Sequence, residues 1–230
     1  NIFLYNLCIV FLKFQYLSFY IILPINKFTK TINPIKLLLL NLAVQLIGLF
    51  TFKLYIWKKI NWKMGITKNK KYALGILTAD CAPIFFYDSV SNIIAAAHAG
   101  WKGCLLNIVG SALEQIQTIQ SNVNKIFAII GPCLDKANFE VSSDLKEQFI
   151  VKDSNYDKFF TNMKKTKKTL FDMRGLIQFQ FNKNLVNNVY HINFDTYENE
   201  NLFFSHRRST HNENLPAGRM VNIIGFKNNI

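Results

Sequence analysis

The chain has 230 residues, half of them hydrophobic, which suits one domain, or one domain with an extension, around a sizeable core. Its formal charge of +13 is unevenly placed: residues 1–79 carry eleven lysines and no Asp or Glu, whereas residues 80–230 set sixteen basic residues against fourteen acidic ones. A general nucleic-acid surface is therefore not expected. The four cysteines (Cys8, Cys81, Cys104, Cys133) form no CxxC pair, so the reading is a reducing, cytoplasmic compartment without disulfides.

The first third is dense in Leu, Ile, Phe and Tyr. Asn1–Leu23 and Ile35–Trp57 are long enough to span a bilayer, for which about 20 apolar residues suffice. Asn6, Lys13 and Gln15 interrupt the first, however, and Asn41, Gln45 and Lys53 the second, and central lysines are costly in hydrocarbon. No basic cluster and small-residue cleavage site mark a signal peptide. The expectation is buried or poorly packed structure, with membrane association through residues 1–57 as the alternative and a degraded or misread segment as a third reading. Residues 1–63 are thus set apart as a lysine-rich apolar segment from a domain at 64–230.

From Lys68 the pattern becomes regular. Lys71–Leu77 predicts a strand, and the runs Ala82–Tyr87 and Ile93–Ala97, separated by Asp88–Asn92, predict two buried strands joined by a turn. The loop before the first run carries Asp80 and Cys81, and the end of the second carries His98. A hairpin with about equal arms brings these ends together, since each residue advances about 3.3 Å along a strand. Cysteine more often packs as a small hydrophobe than acts as a nucleophile or ligand. Here it stands beside a charge, and across from the two-glycine turn Ala99-Gly100-Trp101-Lys102-Gly103, which marks a site.

Further on, Cys104–Gln120 has the helical period, Phe127–Ile130 reads as a short strand ended by Gly131-Pro132-Cys133, and Ser142–Ile150 as a helix with a serine cap. Lys152–Lys168 reads as a polar surface connection and Leu170–Leu185 as a second amphipathic helix. Val189–Phe194 predicts a strand, Phe203–Arg208 a polar loop leading on to His211, and Met220–Phe226 a last strand. Strands and helices mix without strict alternation. The expected class is α/β or α+β, a layered sandwich of mixed sheets with outer helices.

The strings Thr78-Ala79-Asp80-Cys81-Ala82-Pro83-Ile84, Ala95-Ala96-Ala97-His98-Ala99-Gly100-Trp101-Lys102-Gly103, Ile130-Gly131-Pro132-Cys133-Leu134, Phe139-Glu140-Val141, and Phe203–Arg208 followed by Ala217-Gly218-Arg219 resemble the YfiH-type laccase-domain family. The resemblance runs from about Met64 to Phe226. It implies a single α/β domain and an enzyme described as a polyphenol oxidase or a zinc-dependent purine nucleoside phosphorylase. Such enzymes act on adenosine or inosine, with adenosine deaminase and methylthioadenosine phosphorylase activity. The implied partners are a purine nucleoside and phosphate. The implied zinc is held by two histidines and a cysteine, of which Cys81 and His98 match two. The family's upstream histidine falls in a Gln-Val-His-Gly motif, and the comparable string here is Gln45-Leu46-Ile47-Gly48, with Ile47 in the histidine's place. Either another residue serves as the third ligand, or the metal is lost; a frame change is a separate reading of the upstream third.

Among the remaining residues, Arg207, Arg208 and Arg219 are candidates for holding phosphate, because guanidinium matches its oxygens in a bidentate fashion. Asp80 is a candidate proton carrier, or a turn cap. Copper is a weaker reading than zinc, since four histidines do not furnish a multicopper site. Two alternatives need no metal. In one, Cys81 and His98 form a hydrolase pair in which imidazole holds a thiolate ready for attack. In the other, the domain is an inactive remnant. The sequence does not set the oligomeric state.

Overall fold

The computed structural model describes residues 7–13, 18–22, 53–56, 64–119, 125–163, 166, 168–212 and 217–226. The Gln45–Gly48 string lies outside them. The described strands are β1 (Leu7–Lys13), β2 (Ser18–Ile22), β3 (Lys53–Ile56), β4 (Met64–Thr67), β5 (Tyr72–Thr78), β6 (Ala82–Asp88), β7 (Ile93–Ala99), β8 (Ile126–Ile130), β9 (Glu140–Ser142), β10 (Phe160–Asn162), β11 (Lys168–Phe171), β12 (Asn188–His191) and β13 (Met220–Phe226). The helices are α1 (Trp101–Leu105), α2 (Ile108–Gln117), α3 (Ser143–Lys152), α4 (Met173–Lys183) and α5 (His206–His211).

Two mixed five-stranded sheets, ordered β2-β1-β13-β5-β3 and β12-β8-β6-β7-β4, pack face to face, and a small sheet β10-β11-β9 stands beside them. The layered α/β class expected from the pattern is the class observed. The strands at residues 7–13, 18–22 and 53–56 join the sheet of β5 and β13: β1 runs antiparallel to β13 and β3 parallel to β5. Among the described residues no helix is long and apolar enough to cross a membrane.

The hairpin β6–β7 is the spine of the second sheet. It pairs antiparallel from Ala82↔Ala99 to Asp88↔Ile93. The Asp88 carboxylate closes its turn by accepting the N–H of Val90 (2.8 Å) and of Ser91 (3.2 Å). Both faces of β6 are buried, which is why it reads as an unbroken apolar run. Ile84 and Phe86, with Ile93, Ala95 and Ala97 opposite, pack on the helices, among them Val109, Leu113, Leu176 and Phe181. Phe85 and Tyr87, with Ile94 and Ala96 opposite, pack on Leu74 of β5 and on Ile224 and Phe226 of β13. At period two, Cys81 and His98 fall on this second set's side, at the open end of the hairpin.

Four local expectations differ from the structure. The helix predicted over Cys104–Gln120 is two helices, because Asn107 adopts a left-handed conformation (φ 55°) and its side chain accepts the N–H of Gly110, starting α2 anew. The predicted connection Lys152–Lys168 contains a 3₁₀ helix, Ser154–Phe159, and β10, and it buries Tyr156 and Phe160 against Phe149. The helix predicted from Leu170 begins only at Met173. Leu170 and Phe171 belong to β11, and Asp172 caps α4 by accepting the N–H of Gly175 at 2.8 Å. Finally, the predicted loop Phe203–Arg208 turns into α5, whose cap is Ser205 Oγ accepting the Arg208 N–H at 3.0 Å. The Ser142 cap of α3 agrees with expectation, accepting the Leu145 N–H at 3.3 Å.

Candidate functional site

The polar cluster forms at the open end of the β6–β7 hairpin. Cys81 lies in the bend between β5 and β6, and His98 is the last residue but one of β7. The pairing Ala82↔Ala99, continued by one step, sets Cys81 across from Gly100, with His98 diagonal to it. A β-carbon on Gly100 would stand 2.8 Å from Cys81 Sγ and 3.9 Å from His98 Nε2. The separation of sulfur and imidazole nitrogen therefore cannot exceed the sum of those two distances. Gly100 is in ordinary extended backbone (φ −94°), so it is the space above its Cα, not its φ, that calls for glycine. Both Cys81 and His98 are partly exposed, and Cys81 is not in a disulfide.

Asp80 is nearly buried, at 8 % exposure, in the left-handed region (φ 78°) that Asp tolerates better than most residues. Both carboxylate oxygens accept hydrogen bonds. Oδ1 takes the Thr196 hydroxyl at 2.7 Å, and Oδ2 takes the backbone N–H of Arg207 at 2.6 Å. Its carbonyl accepts the Leu134 N–H at 2.9 Å. The bend that presents Cys81 is thus tied to the end of β8, to the 195–196 segment and to the start of α5.

The three arginines have different surroundings. One terminal nitrogen of Arg207 donates to the Glu140 carbonyl at 2.8 Å, and its guanidinium lies 5.8 Å from the Phe139 ring centre. Arg208 donates to the carbonyls of Thr196, Tyr197 and Phe203 at 2.6–2.9 Å and lies 3.6 Å from the Glu200 carboxylate, so it clamps the loop ahead of its own helix. Arg219 is exposed and donates to the Ala217 and Gly218 carbonyls. Gly218 lies flat on the Phe204 ring, where a β-carbon would come within 2.6 Å, and so seats this loop on the segment that leads into α5.

Thr196, fully buried, and Cys133 are part of the same neighbourhood; Cys133 falls in the Ile130–Leu134 string, whereas nothing in its local sequence marks Thr196. Cys133 pairs with Asp195 in a single parallel bridge, and the Thr196 N–H donates to its carbonyl at 3.2 Å. Burial pushes the Cys133 thiol up to about 12. Arg174 acts in the opposite direction, and Asp135, Asp195 and Cys81 add to the rise. The thiol is therefore protonated at neutral pH and packs as core. His206 and His211 lie on α5, where the His211 ring meets the Tyr197 hydroxyl at 2.9 Å.

A thiolate and an imidazole are donors of the type zinc takes, and catalytic zinc ordinarily has three protein ligands. Among the described residues no group of three or more His, Cys, Asp or Glu is placed to hold a metal. Cys81 and His98 fit as two donors, and Ile47, in the place of the family's upstream histidine, lies outside the described residues.

The family model described as multi-copper polyphenol oxidoreductase laccase matches residues 64–227, and the chain belongs to that family. It is 32% identical over 147 residues to a purine nucleoside phosphorylase of Rickettsia prowazekii, an alignment that covers 64% of this chain and 60% of that protein. It is 30% identical over 164 residues to the purine nucleoside phosphorylase YlmD of Bacillus subtilis, covering 70% of this chain and 57% of that one. The chain thus aligns with less than two thirds of the length of these relatives. Among solved structures, the hypothetical protein YfiH of Bacillus licheniformis aligns with a TM-score of 0.64 at 29% identity, over 72% of this chain and 61% of that one. A Neisseria meningitidis protein shares the fold with a TM-score of 0.69 at 23% identity, over 85% and 83% of the two chains.

Proposed function

We propose that this chain is a purine nucleoside phosphorylase whose chemistry takes place at Cys81 and His98. The observation that carries the reading is the convergence of Cys81 Sγ and His98 Nε2 over Gly100, within the stretch that the family model matches. Support for the reaction class comes from relatives named purine nucleoside phosphorylase, matched across the same stretch. Adenosine and inosine are the proposed substrates, with methylthioadenosine phosphorolysis and adenosine deamination as further activities of the same site.

In phosphorolysis a phosphate oxygen forms a bond to the ribose C1′ as the bond from C1′ to the purine nitrogen breaks. The purine leaves with a proton and ribose 1-phosphate remains. The anion needs positive charge near C1′, and Arg207 and Arg219 are proposed to supply it. Arg208, engaged by three carbonyls, holds the loop that positions Arg207. Zinc is the proposed metal, with Cys81 and His98 as two of its ligands. When bound it would supply a Lewis acid and a water whose pKa falls to about 7, the nucleophile that deamination requires. What the chain itself contributes is a fixed pair of donors on a rigid hairpin end, with Gly100 keeping the space above them open. Incubation of the purified chain with inosine and zinc, with and without phosphate, tests the reading. Phosphate-dependent release of hypoxanthine is expected, and its absence would refute it.

A further inference from the structure

We infer that Asp80 and Thr196 act together as a positioning pair for Cys81, with the Asp80 carboxylate serving as a latch. The inference deepens the reading of Cys81 as the reactive sulfur and rests on it. Asp80 precedes Cys81 directly in the chain, and its backbone is held at φ 78°. That conformation is costly for most L-residues and persists only where the surroundings fix it. Three hydrogen bonds do so: from Thr196 Oγ1 to Oδ1 (2.7 Å), from the Arg207 N–H to Oδ2 (2.6 Å), and from the Leu134 N–H to the carbonyl (2.9 Å). Each carboxylate oxygen thus has its own donor, on a residue only 8 % exposed.

Thr196 is the keystone of this arrangement because its own position is fixed independently. It is fully buried, its N–H donates to the Cys133 carbonyl at 3.2 Å, and its carbonyl accepts from Arg208 at 2.9 Å. A hydroxyl fixed in this way aims at Asp80 without an ordering cost of its own. The main-chain donors from Leu134 and Arg207 survive any side-chain change, so the Thr196 hydroxyl is the arm of the latch that a substitution can remove alone.

The test compares Thr196→Val, which keeps the shape and removes the hydroxyl, with Thr196→Ser, which keeps the hydroxyl. Alkylation of Cys81 by iodoacetamide is followed by peptide mass after treatment with EDTA, so that neither catalysis nor metal enters the readout. Thr196→Val is expected to label about tenfold faster than the parent, the change in a local opening equilibrium that follows loss of one hydrogen bond to a charge. Thr196→Ser is expected to stay within about twofold of the parent, because the bond is retained. Labelling of Thr196→Val at the parent rate, or of both variants equally fast, would overturn the inference. Should Thr196→Val not fold, Asp80→Asn takes its place, since it sets an amide donor against one of the two donors that hold the loop. Parent-rate labelling of Cys81 in Asp80→Asn would likewise overturn it. In phosphorolysis the latch predicts a fall in kcat for Thr196→Val with KM little changed. A parent protein without phosphorolysis would refute the proposed activity, while the labelling rates still decide on the latch.

Discussion

Cys81 Sγ lies 2.8 Å from the place a β-carbon on Gly100 would take, so the sulfur occupies space that only glycine leaves open. The relationship follows from the hairpin: the register Ala82↔Ala99 brings the residue before one strand opposite the residue after the other. Gly100→Ala is expected to push the sulfur aside while leaving the hairpin paired. Displacement by a few tenths of an ångström to 1 Å would lower activity by about 10- to 100-fold. Far-UV circular dichroism and kcat/KM measured together check this, and parent-level kcat/KM would contradict it.

Substitutions of Cys81 separate ligand from nucleophile. Cys81→Ala removes both roles. Cys81→Asp keeps a zinc ligand, with oxygen at about 2.0–2.2 Å from the metal, but no thiol nucleophile. The zinc reading expects retained metal and a trace of turnover in Cys81→Asp and neither in Cys81→Ala, as read by metal analysis and phosphorolysis. Parent-level metal in Cys81→Ala would count against Cys81 as a ligand.

The aromatic cluster between α3 and the small sheet gives a stability prediction. Phe149 is fully buried, with the rings of Phe171, Phe160 and Tyr156 at 5.1, 5.3 and 6.1 Å. Phe149→Ala is expected to cost about 3–5 kcal/mol, measured by urea unfolding. A cost of under 1 kcal/mol, that of an exposed site (about 0.5 kcal/mol), would show that the segment after α3 is not packed as described.

The hairpin was legible in the sequence because strands buried on both faces read as continuous apolar runs, and Asp88–Asn92 breaks them with turn residues. Cys81 and His98 could be brought together from the same pattern. Other features are set by tertiary context. Leu170 lies in helical step with Met173, Ile177 and Phe181, so the apolar period runs on through the strand and past the Asp172 cap. The aromatics of residues 156–160 sit in a lysine-rich stretch, and only Phe149 on another element shows that Tyr156 and Phe160 turn inward. The Asp80–Thr196 bond joins residues 116 positions apart, and no local spacing foretells it.

The charge pair between Asp153 and Lys183 gives a pH prediction. Lys183 Nζ, 2.6 Å away, and the amide and N–H of Asn155 hold the Asp153 carboxyl down at about 2 against an ordinary 3.8. A carboxyl depressed in the folded state contributes stability above its unfolded value, and that contribution is lost as pH falls from about 4 towards 2. Asp153→Asn should therefore lower the urea midpoint at pH 7 and have a much smaller effect near pH 2. An equal effect at both pH values would mean that the ion pair is not its source.

The most direct test of the central claim measures zinc per chain and phosphate-dependent cleavage of inosine side by side, in the parent protein, in Cys81→Ala and in His98→Ala. If Cys81 and His98 form one site, the parent holds zinc and releases hypoxanthine, and each variant loses both. A variant that keeps the parent's zinc and turnover would show that the reaction takes place elsewhere.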